Sequence, residues 1–263
     1  MNKKRHTIIK AFYELIPDEI LKARNKSGCA FIPVGPIEWH SYHLPIGTDA
    51  IIAESICKLV AERVEGVYFK PLFLGTDALR SEEELSKWGF QKGDKIFGMN
   101  FPDLPLASEY CDREELESNV VRRLKFLRES KFRIIFIVSH HSGLGQTECL
   151  EKICNNFNSN NFKTEFVQSY RFLDLKDESL GINHGGHAGI SESTFLLAFR
   201  PDLIDLTKIP SGELIVKKTG ILHHQPVIQE GYNPRNISKI LADELRENII
   251  RNFVNYIRIK YLK

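Results

Sequence analysis

No stretch of the sequence reaches the roughly 18 consecutive apolar residues that a membrane-spanning helix needs, so a membrane protein is not expected. Charge of one sign is missing as well. Lys and Arg number 36 against 34 Asp and Glu, a formal charge of +2, and the basic residues are scattered. Without a basic stripe there is no footprint for a phosphate backbone, and nucleic acid is not an expected partner. The five cysteines (Cys29, Cys57, Cys111, Cys149, Cys154) are odd in number, widely spaced and free of any Cys-x-x-Cys pair. Neither a disulfide framework nor a zinc ribbon fits that pattern, which points to a reducing compartment. The opening residues Lys3, Lys4 and Arg5 run on to Lys10, Glu14 and Pro17 instead of an apolar stretch. Met1 to Ile16 therefore reads as a surface helix and not as a signal peptide, and the protein is expected to be soluble and cytoplasmic.

What is present is an alternation of short apolar runs with longer stretches of helical period, the pattern of a parallel sheet covered by helices. Cys29 to Val34, Val67 to Leu74, Phe132 to Val138 and Lys163 to Val167 read as strands. Asp49 to Glu65, Arg113 to Lys131, Gln146 to Phe157, a segment ending at Phe199, and Ile237 to Tyr261 read as helices. Thr48 or Asp49 is suited to cap the first of these. Gly75 to Leu106, rich in Gly and Pro and poor in period, reads as a long excursion of the kind that often binds ligands. No repeat or linker divides the 263 residues, so a single domain is expected.

Ligands of open α/β sheets bind beyond the carboxyl ends of the strands. Three segments place metal-binding residue types there. The first runs from Pro33 to Asp49: Glu38 and His40 are two apart, so in extended chain they point the same way, and Asp49 stands at the mouth of the following helix. The second is His140-His141, directly after the most convincing buried strand. The third is His184-Gly-Gly-His187-Ala-Gly-Ile-Ser-Glu192. Six of the nine histidines fall in these segments, and imidazole with carboxylate suits zinc, manganese or iron. His223-His224 reads as a loop or packing pair, and His6 as solvated.

At these residues the sequence resembles the creatininase family, the creatinine amidohydrolases and their relatives. The family's leading motif, Pro-x-Gly-x-x-Glu-x-His-x-x-His-Leu-Pro-x-x-Thr-Asp, is met at Pro33, Gly35, Glu38, His40, His43, Leu44, Pro45, Thr48 and Asp49. Its second motif, a strand followed by Asn-Gly-His-Gly-Gly, is replaced by Ser139-His140-His141-Ser142-Gly143. Its third, His-x-Gly-x-x-Glu-Thr/Ser, appears as His187-Ala-Gly-Ile-Ser-Glu192-Ser193. The resemblance implies a three-layer α/β/α sandwich with a mostly parallel central sheet, two divalent ions with zinc as the first expectation, and a homo-oligomer, commonly a hexamer. It carries ligand roles to Glu38, His40, Asp49, His141 and Glu192, with Asp49 bridging; a one-residue shift of the second motif would substitute His140 for His141. His187 becomes the proton carrier, and Glu192 counts among the catalytic residues as well as the ligands. In creatininase a Glu just after the second-motif histidine is a ligand. Ser142 and Gly143 offer no carboxylate, so that duty falls to Glu192.

The activity implied is hydrolysis of a small cyclic amide or related amide, with formamides, cyclic ketones and a catalytically silent partner protein as alternatives. Asp77 to Pro105, with Arg80, Trp88 and Met99, departs from creatininase and sits where the substrate would be chosen. Trp39, Trp88 and Phe90 are candidates either to close that pocket or to pack the core.

Overall fold

The strand β1 (Cys29–Pro33) and the strand β3 (Ile134–Ser139) are buried at every residue. Strands covered on both faces have no need of polar alternation, and both read as continuous apolar runs. They pair in parallel, Cys29 opposite Ile134 and Pro33 opposite Val138. With β2 (Val67–Tyr68) beside β1 and β4 (Lys163–Gln168) beside β3, the sheet order is β2-β1-β3-β4, parallel throughout. The computed structural model describes residues 10–174, 186–223 and 225–262.

Among the described residues the helices are α1 (Pro17–Lys26), α2 (Thr48–Val64), α3 (Glu82–Lys87), α4 (Arg113–Glu129), α5 (Leu144–Phe157), α6 (Ile190–Phe199), the single turn α7 (Val216–Thr219) and α8 (Lys239–Tyr261). Successive strand residues face opposite layers. Phe31, Phe136 and Val138 enter one core with α2, α6 and α8, while Ala30, Ile32, Ile135 and Ile137 enter a second with α4 and α5. Phe31 stacks on Phe136 at 5.2 Å, and Phe253 of α8 meets both edge-on. Each such pair contributes about 0.5–1.5 kcal/mol beyond area burial. The three-layer α/β/α sandwich follows from this two-sided burial.

The structure corrects three local expectations. Only Val67 and Tyr68 of the predicted second strand join the sheet as strand; Pro71 interrupts it, and pairing resumes through an isolated bridge of Leu72 to Val34. The described part of the predicted N-terminal helix forms only a 3-10 turn at Phe12–Glu14, and the helix proper begins at Pro17, whose missing N–H and fixed φ suit a first position. Neither Thr48 nor Asp49 caps α2. Gly47 is the N-cap residue, and the Thr48 hydroxyl donates to the Pro45 carbonyl instead.

Because β1 and β3 are adjacent and parallel, their carboxyl ends open at one edge of the sheet, where residues 34–49 and 140–143 emerge together.

Candidate metal centre

Glu38 lies on the segment leaving β1, where its N–H bonds the Ile46 carbonyl at 2.8 Å and closes a loop holding His40 and His43. Asp49 is in the first turn of α2, His141 follows β3, and Glu192 is in the first turn of α6. His187 precedes α6 and is tied to Leu222 by two backbone hydrogen bonds, at 3.1 and 2.8 Å. Ser41 and Ala188, each directly after a site histidine, hold left-handed backbone with φ of 62° and 51°, a strained conformation that clusters at functional sites.

These residues form two triads. Glu38, Asp49 and His141 present ligand atoms within 4.8 Å of one another, and so do His40, Asp49 and Glu192. Asp49 belongs to both. A third grouping, Glu38, His40 and His187, brings the His187 imidazole to the same centre. His141 Nδ1 stands 3.1 Å from Glu38 Oε2 and 3.4 Å from Asp49 Oδ2; His40 Nε2 stands 3.6 Å from Asp49 Oδ2 and 3.5 Å from Glu192 Oε2. Two ligand atoms each about 2.1 Å from one tetrahedral ion would lie roughly 3.4 Å apart.

Three histidines are turned by the main chain. His40 Nδ1 meets the Glu38 carbonyl at 2.9 Å, His141 Nε2 the Thr76 carbonyl at 3.2 Å, and His187 Nε2 the Trp39 carbonyl at 2.5 Å. A carbonyl only accepts, so each of those nitrogens carries the hydrogen and the other nitrogen faces the cluster. Metal-binding histidines are commonly oriented this way.

Glu192 Oε2 accepts the Ala188 N–H at 2.6 Å, but other polar atoms of the cluster lack the partners that burial demands. Glu38, His40 and Asp49 are each 1% exposed. Even so, Glu38 Oε2, His40 Nε2 and both Asp49 oxygens have no hydrogen-bond partner among the described residues. Buried anions without a counter-charge are costly, and among the described residues no Lys or Arg pairs with Glu38, Asp49 or Glu192. The residue set therefore fits divalent cations. Burial alone would favour neutral His40, yet Asp49 and Glu192 outweigh it and raise the imidazole to about 10. His141 follows the same logic: burial is outweighed by Glu38 and Asp49, and its pKa is raised well above the ordinary value. Burial pushes the Glu192 carboxyl up to about 8, with His40 opposing. The carboxylates thus hold positive charge at these positions, which either protons or a cation can supply. His187 differs, since burial and the neighbouring His40 lower it to about 4 and leave it neutral.

Of the two neighbouring histidines, only His141 joins the cluster. His140 turns away to hydrogen-bond the Ser169 hydroxyl and to lie against the Phe195 ring at 4.5 Å. His43 hydrogen-bonds Ser193 Oγ at 2.9 Å. Trp39 packs, its indole N–H donating to the Thr219 carbonyl at 2.8 Å. Trp88 lines a cavity of about 360 Å³ over the cluster, together with Asp77, Arg80 and Met99 from the segment after β2. His223 lines it too and stacks on Tyr232. His6, His184 and His224 lie outside the described residues.

The sequence reading missed Tyr110. Its hydroxyl donates to Glu38 Oε1 at 2.5 Å and accepts from the Met99 N–H at 2.9 Å, so Glu38 Oε2 alone remains for an ion. Burial and the Glu38 carboxylate raise the phenol well above its ordinary value, which keeps it a donor. No spacing singles out Tyr110. The capping box Ser81-Glu-Glu-Glu84 that starts α3 was readable from the sequence by its Ser-x-x-Glu pattern, and it too was missed.

Fold and residue set together define a creatininase-like α/β sandwich with a cluster suited to divalent metal. Residues 14–82 match the family model described as Creatininase, creatinine amidohydrolase. A creatinine amidohydrolase of Pseudomonas putida is 21% identical over 194 residues, covering 68% of this chain and 66% of that protein, just under two thirds of its length. A mutant creatininase of the Zn-Zn type superposes with a TM-score of 0.68 at 18% identity, covering 97% of this chain and 100% of that one. A manganese creatininase gives 0.68 at 17% identity, with 97% and 100% covered. These agreements liken the chain to creatininases, in sequence over residues 14–82 and in fold over nearly its whole length.

Proposed function

We propose that the chain is a metal-dependent hydrolase of the creatininase type, acting on a C–N bond of a small cyclic amide or related amide. The observation that carries this reading is the pair of triads sharing Asp49 beneath a cavity sized for a small molecule. Glu38, Asp49 and His141 would hold one divalent ion, and His40, Asp49 and Glu192 the other, with zinc favoured by the imidazole and carboxylate set. Divalent ions so held lower the pKa of water from about 15.7 toward 7 and polarise a carbonyl oxygen.

The side chains do the rest. His187 is neutral, with its hydrogen on Nε2 fixed by the Trp39 carbonyl, so Nδ1 offers a lone pair toward the centre. That nitrogen takes up a proton and returns it to the departing nitrogen of the amide, a step contributing about 10²–10⁴ in rate. Gly186, with φ of 93°, brings backbone to the cavity wall where a Cβ would strike the Leu222 carbonyl. By family likeness the protein would act as a homo-oligomer, a hexamer as in the sequence-based expectation, and its unpaired cysteines suit the cytoplasm.

The test joins metal analysis to an activity screen. Protein purified without chelator should retain at least about one equivalent of divalent metal, and the loaded protein should hydrolyse a member of a panel of cyclic amides and formamides. Metal well below one equivalent would abandon the hydrolase reading in favour of a silent partner protein. Turnover of cyclic ketones alone would keep the centre and change the bond.

A further inference from the structure

The cavity has two walls, and the one built by the segment after β2 presents a fixed cation. Arg80 lines the cavity with its side chain 19% exposed. Its Nε donates to the Gly98 carbonyl at 3.1 Å, one Nη2 hydrogen donates to Asp77 Oδ2 at 2.7 Å, and the guanidinium lies 5.8 Å from the Trp88 ring centre. Asp77, its side chain 1% exposed, is fixed in turn: Oδ1 accepts the Ala78 N–H at 2.8 Å. A guanidinium carries five N–H donors in a planar fork. Among the described residues two of the five are used, which leaves both Nη1 hydrogens and one on Nη2.

The guanidinium is close to the metal centre. Gly143 sits between His141 and Asp77, and a Cβ there would meet the His141 ring and come within 3.0 Å of the Asp77 carboxyl carbon. The Asp77 carboxyl and Gly143 thus stand between Arg80 and the His141 side of the cluster, and all four residues line the same cavity.

We propose that Arg80 forms an anion subsite and that the substrate is an amide bearing a carboxylate, held by the open Nη1/Nη2 edge while its amide lies over the Asp49-centred cluster. Asp77 already takes part of the guanidinium charge, so a singly charged carboxylate fits the remaining edge better than a dianion. The planar fork matches a carboxylate in two parallel hydrogen bonds, which fixes orientation as well as affinity. Asp77 is a positioning residue: it holds the fork without itself facing the ligand's carboxylate. The inference rests on the amide-hydrolase reading for the identity of the bond, but not for the existence of the subsite.

The probes are matched pairs that differ only in charge: N-formylglycine against N-formylglycinamide, and 5-oxoproline against 5-oxoprolinamide. Their binding to the metal-loaded protein is measured by calorimetry, with hydrolysis followed separately. The carboxylate member of at least one pair should bind about tenfold or more tightly than its amide, as charge-assisted bidentate bonding would give. Arg80→Gln, which still has an N–H for the Gly98 carbonyl, should bring that ratio toward one, and Arg80→Lys should leave it intermediate. A wild-type ratio at or below one overturns the proposal. A ratio that survives in Arg80→Gln also overturns it, because the carboxylate would then be held by the ions. If Arg80→Gln fails to fold by circular dichroism, Arg80→Lys decides, and an unchanged ratio there is fatal. An intact, Arg80-dependent ratio without hydrolysis of any probe supports the subsite and counts against the amide reading.

Discussion

The two sides of the cavity are built by opposite means. The metal side hangs from the ends of two central, fully buried strands and from the first turns of α2 and α6. Its imidazoles are aimed by backbone carbonyls, and Glu38 Oε2, His40 Nε2 and both Asp49 oxygens are buried without a hydrogen-bond partner among the described residues. The facing side, residues 77–105, has one six-residue helix and otherwise turns and isolated bridges. Beside the backbone bonds of the Leu79–Phe97 bridge, side chains hold it: Arg80 to the Gly98 carbonyl, Tyr110 to the Met99 N–H and Asn100 to the Ser108 N–H. A sheet edge fixes chemistry that must not vary, and a loop wall can change its contents without disturbing the sheet.

The sharpest way to break this contrast is to strike the carboxylate that the two triads share. Asp49→Asn removes the one carboxylate common to both triads, and metal affinity should fall by more than about 100-fold, since loss of even an outer partner costs 10–100-fold. His141→Ala should do the same for its triad. His140→Ala, one residue away, should keep its metal and lose about 1–3 kcal/mol of stability, because it leaves Ser169 without its partner and a gap beside Phe195. Metal analysis and thermal unfolding of the three variants separate these outcomes. Loss of metal in the His140 variant alone would reassign the second motif.

Next in size is the proposed proton carrier, His187. His187→Asn should retain metal and lower kcat by about 10²–10⁴ on whichever substrate the screen identifies. Unimpaired turnover would remove His187 from the reaction and leave it to the third ligand grouping with Glu38 and His40.

The same contrast explains what the sequence disclosed. Glu38, His40 and Asp49 were legible because strand and helix-start geometry converts their fixed spacing into a shared direction. Two-sided burial of the central strands left continuous apolar runs that made a helix-covered parallel sheet legible, whereas the three-layer sandwich was what the family resemblance implied. The choice between His140 and His141 was not settled by the residues themselves, because the chain leaves strand geometry after Ser139 and alternation stops predicting orientation. Asp49 looked like a cap, since a carboxylate at a helix start serves either purpose; only its lack of a backbone partner distinguishes them. Tyr110 and Asp77 were invisible for a different reason. They reach the site across irregular chain, where no period relates sequence distance to spatial distance.

Tyr110 links the two sides, since it lies just beyond residues 77–105, accepts from Met99 of the loop wall and donates to Glu38 of the metal side. Tyr110→Phe removes the hydroxyl that occupies Glu38 Oε1 and frees the carboxylate to rotate. Metal affinity should drop about 10–100-fold, with the fold intact. An unchanged affinity would show that Glu38 is positioned by its ion alone, and the two sides would then be independent.

The smallest effect per step, and the most diagnostic of charge, is on pH. Burial favours a neutral His40, but Asp49 and Glu192 raise it to about 10, so at neutral pH the ion-free site holds a proton on an imidazole that an ion requires bare. His141, raised well above its ordinary value by Glu38 and Asp49 against burial, adds a second. Ion binding must expel these protons, so falling pH weakens binding and rising pH strengthens it, by about tenfold per unit for each proton released. Titrating chelator-stripped protein with zinc in two buffers of different protonation enthalpy counts them directly. With the Glu192 carboxyl, pushed up to about 8 by burial, adding a third at neutral pH, release of about two to three protons at pH 7 is expected. Release of none would mean that the site balances its carboxylates without protonated imidazoles, and that the attraction of this cluster for cations owes less to its charge than to its shape.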